Sequence, residues 1–472
     1  MRWQELLRKK DTWSELPSDP QRRLNRCLNR FDLIVLGVAQ IIGAGIFVIV
    51  GVGVQIAGPG IILSFLLSGL VAMLAALCYA EMAAMHPVAG GAYSYAYAIF
   101  GEIFAWIIGW DLILEYGMGA ATAAVGWSFY CQEFFRGLGY TLPAWAAGSS
   151  VTPGGRVFNL PAAGIVLFLT IILLLRTKTN ALIARFLVFL KVAILVVVSG
   201  VGMLYVRPEN WLPLVPHGPL SLIQGASLVF FAYLGFDVVA VTAEEAENPQ
   251  RDVPWGIIGS LLICTLLYFA ATLVLVGMAP SSQISSEAPF SHVFQQVGLP
   301  WMAGLVGAGA LGGITSVLFT LLLAQPRILF AMGRDGLLPP WTAHLHPRFQ
   351  TPHLTTLACG FLVALSAACL PIEQLAFLCN IGTLFAFLVV CTGVFIMRWT
   401  RPDAPRPFRI PAGKLVSFLG AAASLALMLT MPLDSWLRLS LWLFLGLLIY
   451  FAYRARKLGQ GSAPGEYDNN PS

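Results

Sequence analysis

The stretch Gly37-Val38-Ala39-Gln40-Ile41-Ile42-Gly43-Ala44-Gly45-Ile46-Phe47 lies inside an apolar run from 33 to 54. That run is long enough to cross a bilayer, whose hydrocarbon core of ~30 Å takes about 20 helical residues. At its centre Gly43-Ala44-Gly45 weakens the helix, because glycine loses the most conformational freedom on ordering. A helix interrupted at mid-membrane frees backbone N–H and C=O groups that lipid cannot satisfy, so a break survives only where it faces protein or a wet cavity. A second stretch, Phe230-Phe231-Ala232-Tyr233-Leu234-Gly235-Phe236-Asp237, interrupts the run from 219 to 243 in the same manner, at Ala232 to Gly235. One glycine alone is accounted for as a packing contact between membrane helices. Two breaks, each at mid-span, point further.

Working outward, the 472 residues are 58% hydrophobic and only 11% charged, well under the roughly 25% charged residues of soluble domains. Twelve apolar stretches fall between the charge clusters and Pro/Gly breaks: 33–54, 60–84, 95–130, 161–176, 183–206, 219–243, 255–278, 301–330, 353–370, 377–398, 415–431 and 437–455. Residues 1–30 are polar, carry eight Lys/Arg and have no short apolar core with a cleavage site, so a cytosolic tail is expected rather than a signal peptide. From that start, 23 Lys/Arg fall on the inner side and only Arg136, Arg156, Arg207 and Arg438 on the outer. The asymmetry obeys the positive-inside rule and predicts a multi-pass protein of the cell membrane with both termini cytoplasmic. The net charge of +5 thus reports topology and calls for no nucleic-acid partner.

Transporters are often built from inverted repeats with broken helices at corresponding positions. Spans one and six carry the breaks, and spans three and eight are the long ones of each set. The predicted fold is therefore an all-α integral membrane protein of 12 transmembrane helices, a 5+5 inverted repeat plus two C-terminal helices. Its parts are a tail at 1–30, repeats at 31–206 and 219–398, the last two helices with their preceding loop at 399–455, and a cytosolic tail at 456–472.

The breaks suit an amino acid. The half-helix starting near Ile46 points its positive end at Gly43, Ala44 and Gly45, whose amides can cradle a carboxylate. The substrate ammonium then faces carbonyls freed near Gln40 to Ile42 and near Phe230, Phe231 and Ala232. Asp111, Glu115, Lys191 and Asp237 are charged residues within apolar stretches, where a charge costs from about 3 kcal/mol upward. Asp111 and Glu115 stand four apart, on one helix face. Lys191, the only Lys placed inside a span, makes a proton relay or cation surrogate with Glu115 or Asp237; a static buried ion pair that fixes helix register is the simpler account.

At these residues the sequence resembles the amino acid–polyamine–organocation superfamily, in particular bacterial members of its cationic amino acid transporter branch. The resemblance runs nearly end to end. Besides the two break segments it rests on Glu244-Glu245-Ala246-Glu247-Asn248-Pro249-Gln250-Arg251, on the run from Arg327 to Leu337, on Asn380-Ile381-Gly382-Thr383-Leu384, and on Arg401-Pro402 with Arg406-Pro407-Phe408. It implies the fold of a sodium-coupled leucine transporter, with substrate between spans one and six and contacts from three, eight and ten. Gly43, Ala44 and Gly45, flanked by Ile42 and Ile46, would then meet the carboxylate, and Phe231, Ala232, Tyr233 and Gly235 the ammonium and side chain. Ala44 stands where many relatives carry Ser, which leaves the backbone amides to bind. Lys191 falls where proton-coupled relatives carry a lysine on span five, which implies proton rather than sodium coupling. The loops from Glu244 to Asp252 and from Arg327 to Asp335 are expected to pair as an inner gate.

No HExxH, Gly-x-Ser-x-Gly elbow, P-loop or cluster of metal ligands is present, which excludes the familiar enzyme motifs and gives no cofactor. Eight cysteines, mostly in apolar stretches, form no CxxC, and the six histidines lie near span ends or in loops, where surface positions are expected. The reading is a proton-coupled secondary transporter of L-amino acids; a sensor that binds the same ligand without moving it fits the same residues. Leu318, Phe319 and Leu321 on span eight, with Phe377 and Phe385 on span ten, suggest an apolar side-chain pocket for small neutral or broad substrates, with cationic Arg or Lys as the alternative. A single-span accessory subunit is compatible with the chain, but no residue demands one.

Overall fold

The computed structural model describes residues 26, 28–87, 90–137, 139–148, 151–152, 155–156, 158–174, 181–346 and 351–459. Nearly all of the expected tail at 1–30, residues 460–472 of the other tail, and Cys27, Arg176, Lys178 and Arg348 lie outside the described residues. The described residues are helical apart from connecting loops and one two-residue antiparallel pairing, Val151–Thr152 with Gly155–Arg156. Seven helical stretches are long and apolar enough to cross a membrane, and Leu160–Leu174, Val188–Met203, His353–Cys369 and Gly413–Leu429 are shorter apolar helices.

Helix α1 (Arg30–Ile41) starts on a capping box, with Asp32 N donating to Asn29 Oδ1 (3.0 Å) and Asn29 N to Asp32 Oδ2 (3.4 Å). It ends at Ile42, whose ψ of 105° is extended. The chain resumes as a π-helical turn, Gly45–Ile49, and continues as α2 (Val50–Ala57). Then come α3 (Ile61–Met85), α4 (Gly91–Ile99) and α5 (Glu102–Gly137). The expected single span 95–130 is divided here, because Gly101 takes φ 101° and donates to Ala96 O, closing α4. Helices α6 (Leu160–Leu174) and α7 (Ala181–Met203) follow.

The second broken element repeats the pattern: α8 (Pro219–Val229), a 3-10 turn at Phe230–Tyr233, Gly235 at φ 109°, and α9 (Asp237–Val241). Beyond it lie α10 (Pro249–Met278), α11 (Pro289–Gln296), α12 (Pro300–Arg334), α13 (His353–Cys369), α14 (Ile372–Thr400), α15 (Gly413–Leu429) and α16 (Leu433–Gly459). Helices α5 and α12, of 36 and 35 residues, are each over 50 Å long at about 1.5 Å per residue, so they overshoot the hydrocarbon or tilt within it.

The broken elements form the centre. Ile46 to Val50 are fully buried, with α3, α5, α10, α12 and α14 packed around the two breaks. The outer faces, by contrast, expose Leu66, Leu70, Phe168, Phe361 and Leu441, the pattern of a surface solvated by lipid. Interior backbone left open by the breaks is thus shielded by protein, as a membrane requires.

Buried Glu81 on α3 ion-pairs with Arg398 of α14, contacts Arg406 Nε (3.4 Å) and accepts from Ile410 N (3.1 Å). Arg406 in turn donates to the carbonyls of Arg401, Pro402 and Ala404. The Arg-Pro motifs after span ten therefore fold their own loop and pin it to α3. One expectation is corrected: His86 is buried, because it closes the C-terminal end of α3, its N donating to Met82 O. The seven described cysteines are free.

Candidate functional site

The two breaks interlock. A Cβ at Gly45 would strike the backbone of Ala232, and one at Gly235 would lie 2.8 Å from Gln40 Cβ and 3.0 Å from its carbonyl carbon. Glycine at both positions lets one broken backbone lie directly on the other, and at Gly235 the positive φ adds a conformational demand.

The freed backbone groups have specific partners. Tyr268 Oη donates to Ile41 O (2.7 Å) and Tyr130 Oη to Phe47 O in the π turn (2.7 Å), while Tyr233 Oη of the second break donates to Phe65 O of the continuous α3 (2.8 Å). Asn380 Nδ2 donates to Ser227 O and Leu228 O at the end of α8 (2.8 and 2.9 Å). The carbonyls at a helix C-terminus lack intrahelical donors, and Asn380 satisfies two of them. The helix restarting near Gly45 leaves its first N–H groups without intrahelical acceptors for the same reason.

Gly43, Ala44 and Gly45 border a cavity of about 40 Å³ between the breaks. One water needs roughly 10–15 Å³ on this measure, so a few heavy atoms fit without rearrangement. Its walls include Gly43, Ala44 and Gly45 on one side, Phe231, Leu234 and Gly235 on another, Val317 and Leu321 from α12, and Glu115, Tyr116 and Asp237. Asp237 accepts from Tyr116 Oη (3.0 Å). Cys379 Sγ donates to Glu115 O (3.2 Å), and the Thr383 hydroxyl donates to Cys379 O (3.0 Å). Two acidic residues thus share a small, mostly apolar space with the glycines of the first break.

Of the residues expected at the site, Gly43, Ala44, Gly45, Phe231, Gly235, Leu321, Glu115 and Asp237 line this cavity, whereas Ile42, Ile46, Ala232 and Tyr233 stand behind its walls. Lys191 is buried elsewhere: its Nζ donates to Ala39 O (2.9 Å) at the end of α1, and its stem packs beside Gly313. The relay partners expected for it are not in contact with it: among the described residues no carboxylate forms an ion pair with Lys191, whose helix α7 packs on α1, α10 and α12. One of the carbonyls expected to receive an ammonium, Ile41 O, is occupied by Tyr268 in this state.

The loops expected to gate the site also have definite partners. Leu28 pairs with the segment after α9, its N donating to Glu245 O (3.0 Å) and its O accepting from Glu247 N (2.9 Å). Arg30 ion-pairs with Asp252 (3.5 Å), and Tyr93 Oη donates to Asp335 Oδ2 (2.8 Å). Sequence reasoning did not single out Tyr130, Tyr268, Thr320 (bonded to Gln40, 3.2 Å) or Tyr116. The signal available was a hydrogen-bonding side chain within an apolar run, which does not say which backbone group it reaches.

A multi-pass helical membrane protein with a small cavity between two broken helices belongs to the class of membrane transporters. Its residues 28–449 match the sequence profile of the family described as "Amino acid permease". The chain belongs to that family, within the superfamily that the motifs indicate, and its function is amino acid transport rather than catalysis. It is 42% identical to the "Methylthioribose transporter" of Bacillus subtilis (strain 168), over 95% of this chain and 97% of that protein. It is also 42% identical to the "Branched-chain amino acid permease BcaP" of the same organism, over 93% and 96%. The "Cationic amino acid transporter 4, vacuolar" of Arabidopsis thaliana is 38% identical over 84% of this chain and 68% of that protein.

Proposed function

We propose that this permease imports small neutral L-amino acids across the cell membrane by proton symport. The observation that carries the reading is the cavity that Gly43, Ala44 and Gly45 of the first break line together with Glu115, Asp237 and the apolar Phe231, Val317 and Leu321. The α-carboxylate docks on the N–H groups of that break, where the positive helix end favours it. The ammonium faces the carboxyl side, and Phe231, Val317 and Leu321 bound the substrate side chain. The small volume favours short side chains over Arg or Lys. Lys191 serves as the proton carrier: while charged it holds Ala39 O and so the lower half of the first break, and on losing its proton it weakens that hold. Twelve spans in a 5+5 inverted repeat, with both termini cytoplasmic, are the proposed frame. Supporting it are the paired broken elements, the paired long helices α5 and α12, and the short helices α4 and α11 that precede them.

The test is uptake into liposomes holding the purified protein, under an inward proton gradient without sodium, screened over neutral, branched-chain and cationic amino acids and methylthioribose. Concentrative uptake of alanine-sized amino acids, collapsed by a protonophore, is expected. Uptake restricted to cationic amino acids or to the thiosugar, or indifferent to the protonophore, would refute this assignment.

A further inference from the structure

Asp111 has no role in that scheme, yet among the described residues it is a buried acid with both carboxyl oxygens unpartnered. It lies on α5, fully buried. An unsatisfied buried polar group costs about 1–3 kcal/mol and calls for an explanation. The surroundings make room for it specifically: a Cβ at Gly382 of α14 would lie 3.0 Å from Asp111 Oδ1. Three residues earlier on α14, Cys379 Sγ donates to Glu115 O (3.2 Å), one turn along α5 from Asp111. Asp111 and Glu115 therefore share one seam between α5 and α14, and Glu115 opens on the cavity.

The titratable and charged groups facing this seam are few. Glu115 and Tyr116 share the helix of Asp111, Cys379 comes from α14, Tyr79 from α3, and Asp237 of α9, which accepts from Tyr116 Oη, stands beyond Glu115. From α12 comes only the neutral amide of Gln325, donating to Ile113 O (2.8 Å), and from α16 the Trp442 indole, donating to Trp110 O (2.9 Å). Among the described residues no Lys or Arg ion-pairs with Asp111.

We infer that Asp111 is a second proton-binding site of the transporter, loaded while the α5–α14 seam is packed and discharged when transport opens that seam to water. A carboxylate sealed in apolar packing without partners is several kcal/mol unfavourable, so the packed state holds the acid form, with the proton on a carboxyl oxygen. Hydration of the seam stabilises the anion, and the proton leaves to water. A ligand bound differently by two conformations shifts their populations, and here that ligand is H⁺. The inference rests on the proton-symport reading and adds a site to it.

The test compares wild type with Asp111→Asn, which mimics the acid form permanently, in proteoliposomes. Two assays are used: accumulation under a proton gradient as a function of pH, and counterflow without a gradient. D111N is expected to keep counterflow and lose gradient-driven accumulation with its pH dependence. The carboxylic-acid band in the substrate-induced infrared difference spectrum should disappear with it. Wild-type accumulation and pH profile in D111N would overturn the inference while leaving proton symport standing. Absence of proton-driven uptake in wild type would overturn both. Should D111N also lose counterflow, Gly382→Ala decides by infrared: a methyl pressed on Oδ1 shifts the band if Asp111 carries the proton, and an unchanged band overturns the inference.

Discussion

Substituting Gly45 by Ala probes the contact on which the site depends. The added methyl would meet Ala232 on its Cα and Cβ and stand 2.8 Å from its N. Ordinary Cβ contacts begin near 3.4 Å and the added atom would stand 2.5 Å from Ala232 Cβ and closer still to its Cα, so the breaks must separate by at least about 0.9 Å, against backbone that cannot rotate away. Overpacking of this kind costs about 1–3 kcal/mol, and at 1.4 kcal/mol per decade this corresponds to roughly a 5- to 150-fold loss in substrate affinity. The assay is the saturation curve of counterflow, beside Gly43→Ala and Gly164→Ala. Gly43 meets the side chain of Val317 at 2.9 Å, which can turn aside, and Gly164 meets nothing within 4 Å. Affinity should fall in the order G164A, G43A, G45A. A Gly45→Ala protein with wild-type saturation would refute the claim that the breaks touch in the binding state.

Lys191→Ala should abolish proton-driven accumulation while counterflow persists; normal pH-driven uptake would remove Lys191 from the coupling. Leu321→Ser enlarges the wall from α12 and should admit longer side chains in a competition profile, and an unchanged profile would displace Leu321 from the side-chain pocket. Glu81→Gln leaves Arg398 and Arg406 buried without their anion and should lower stability by about 3 kcal/mol. Asp252→Asn, whose partner Arg30 has a side chain 39% exposed, should cost at most about 1 kcal/mol. Thermal unfolding in detergent ranks the pair, and equal shifts would contradict the burial argument.

Much of the candidate site was legible because glycines and buried acids mark it in the sequence. Glycine at mid-span reports a helix that cannot continue, and Gly43, Gly45 and Gly235 all lie where the two breaks meet. Acidic residues inside apolar runs are equally conspicuous, and Glu115 and Asp237 do line the cavity. Tyr233 and Ala232 show the limit: both belong to the break, but one side chain turns to Phe65 O and the other fills the space beside Gly45. Span position gives the level of a residue in the membrane and not the direction of its side chain.

The sequence by itself determined that the chain is a helical membrane protein, where its broken helices fall and which family it belongs to. Hydropathy, charge asymmetry and glycine placement act locally along the chain. Only the tertiary structure decided that Lys191 holds Ala39 O rather than a carboxylate, that Asn380 caps α8, and that Gly382 shelters Asp111. Each of these contacts joins residues more than a hundred positions apart. Such contacts depend on how helices rotate and pack against one another, which the pattern of any single helix does not specify.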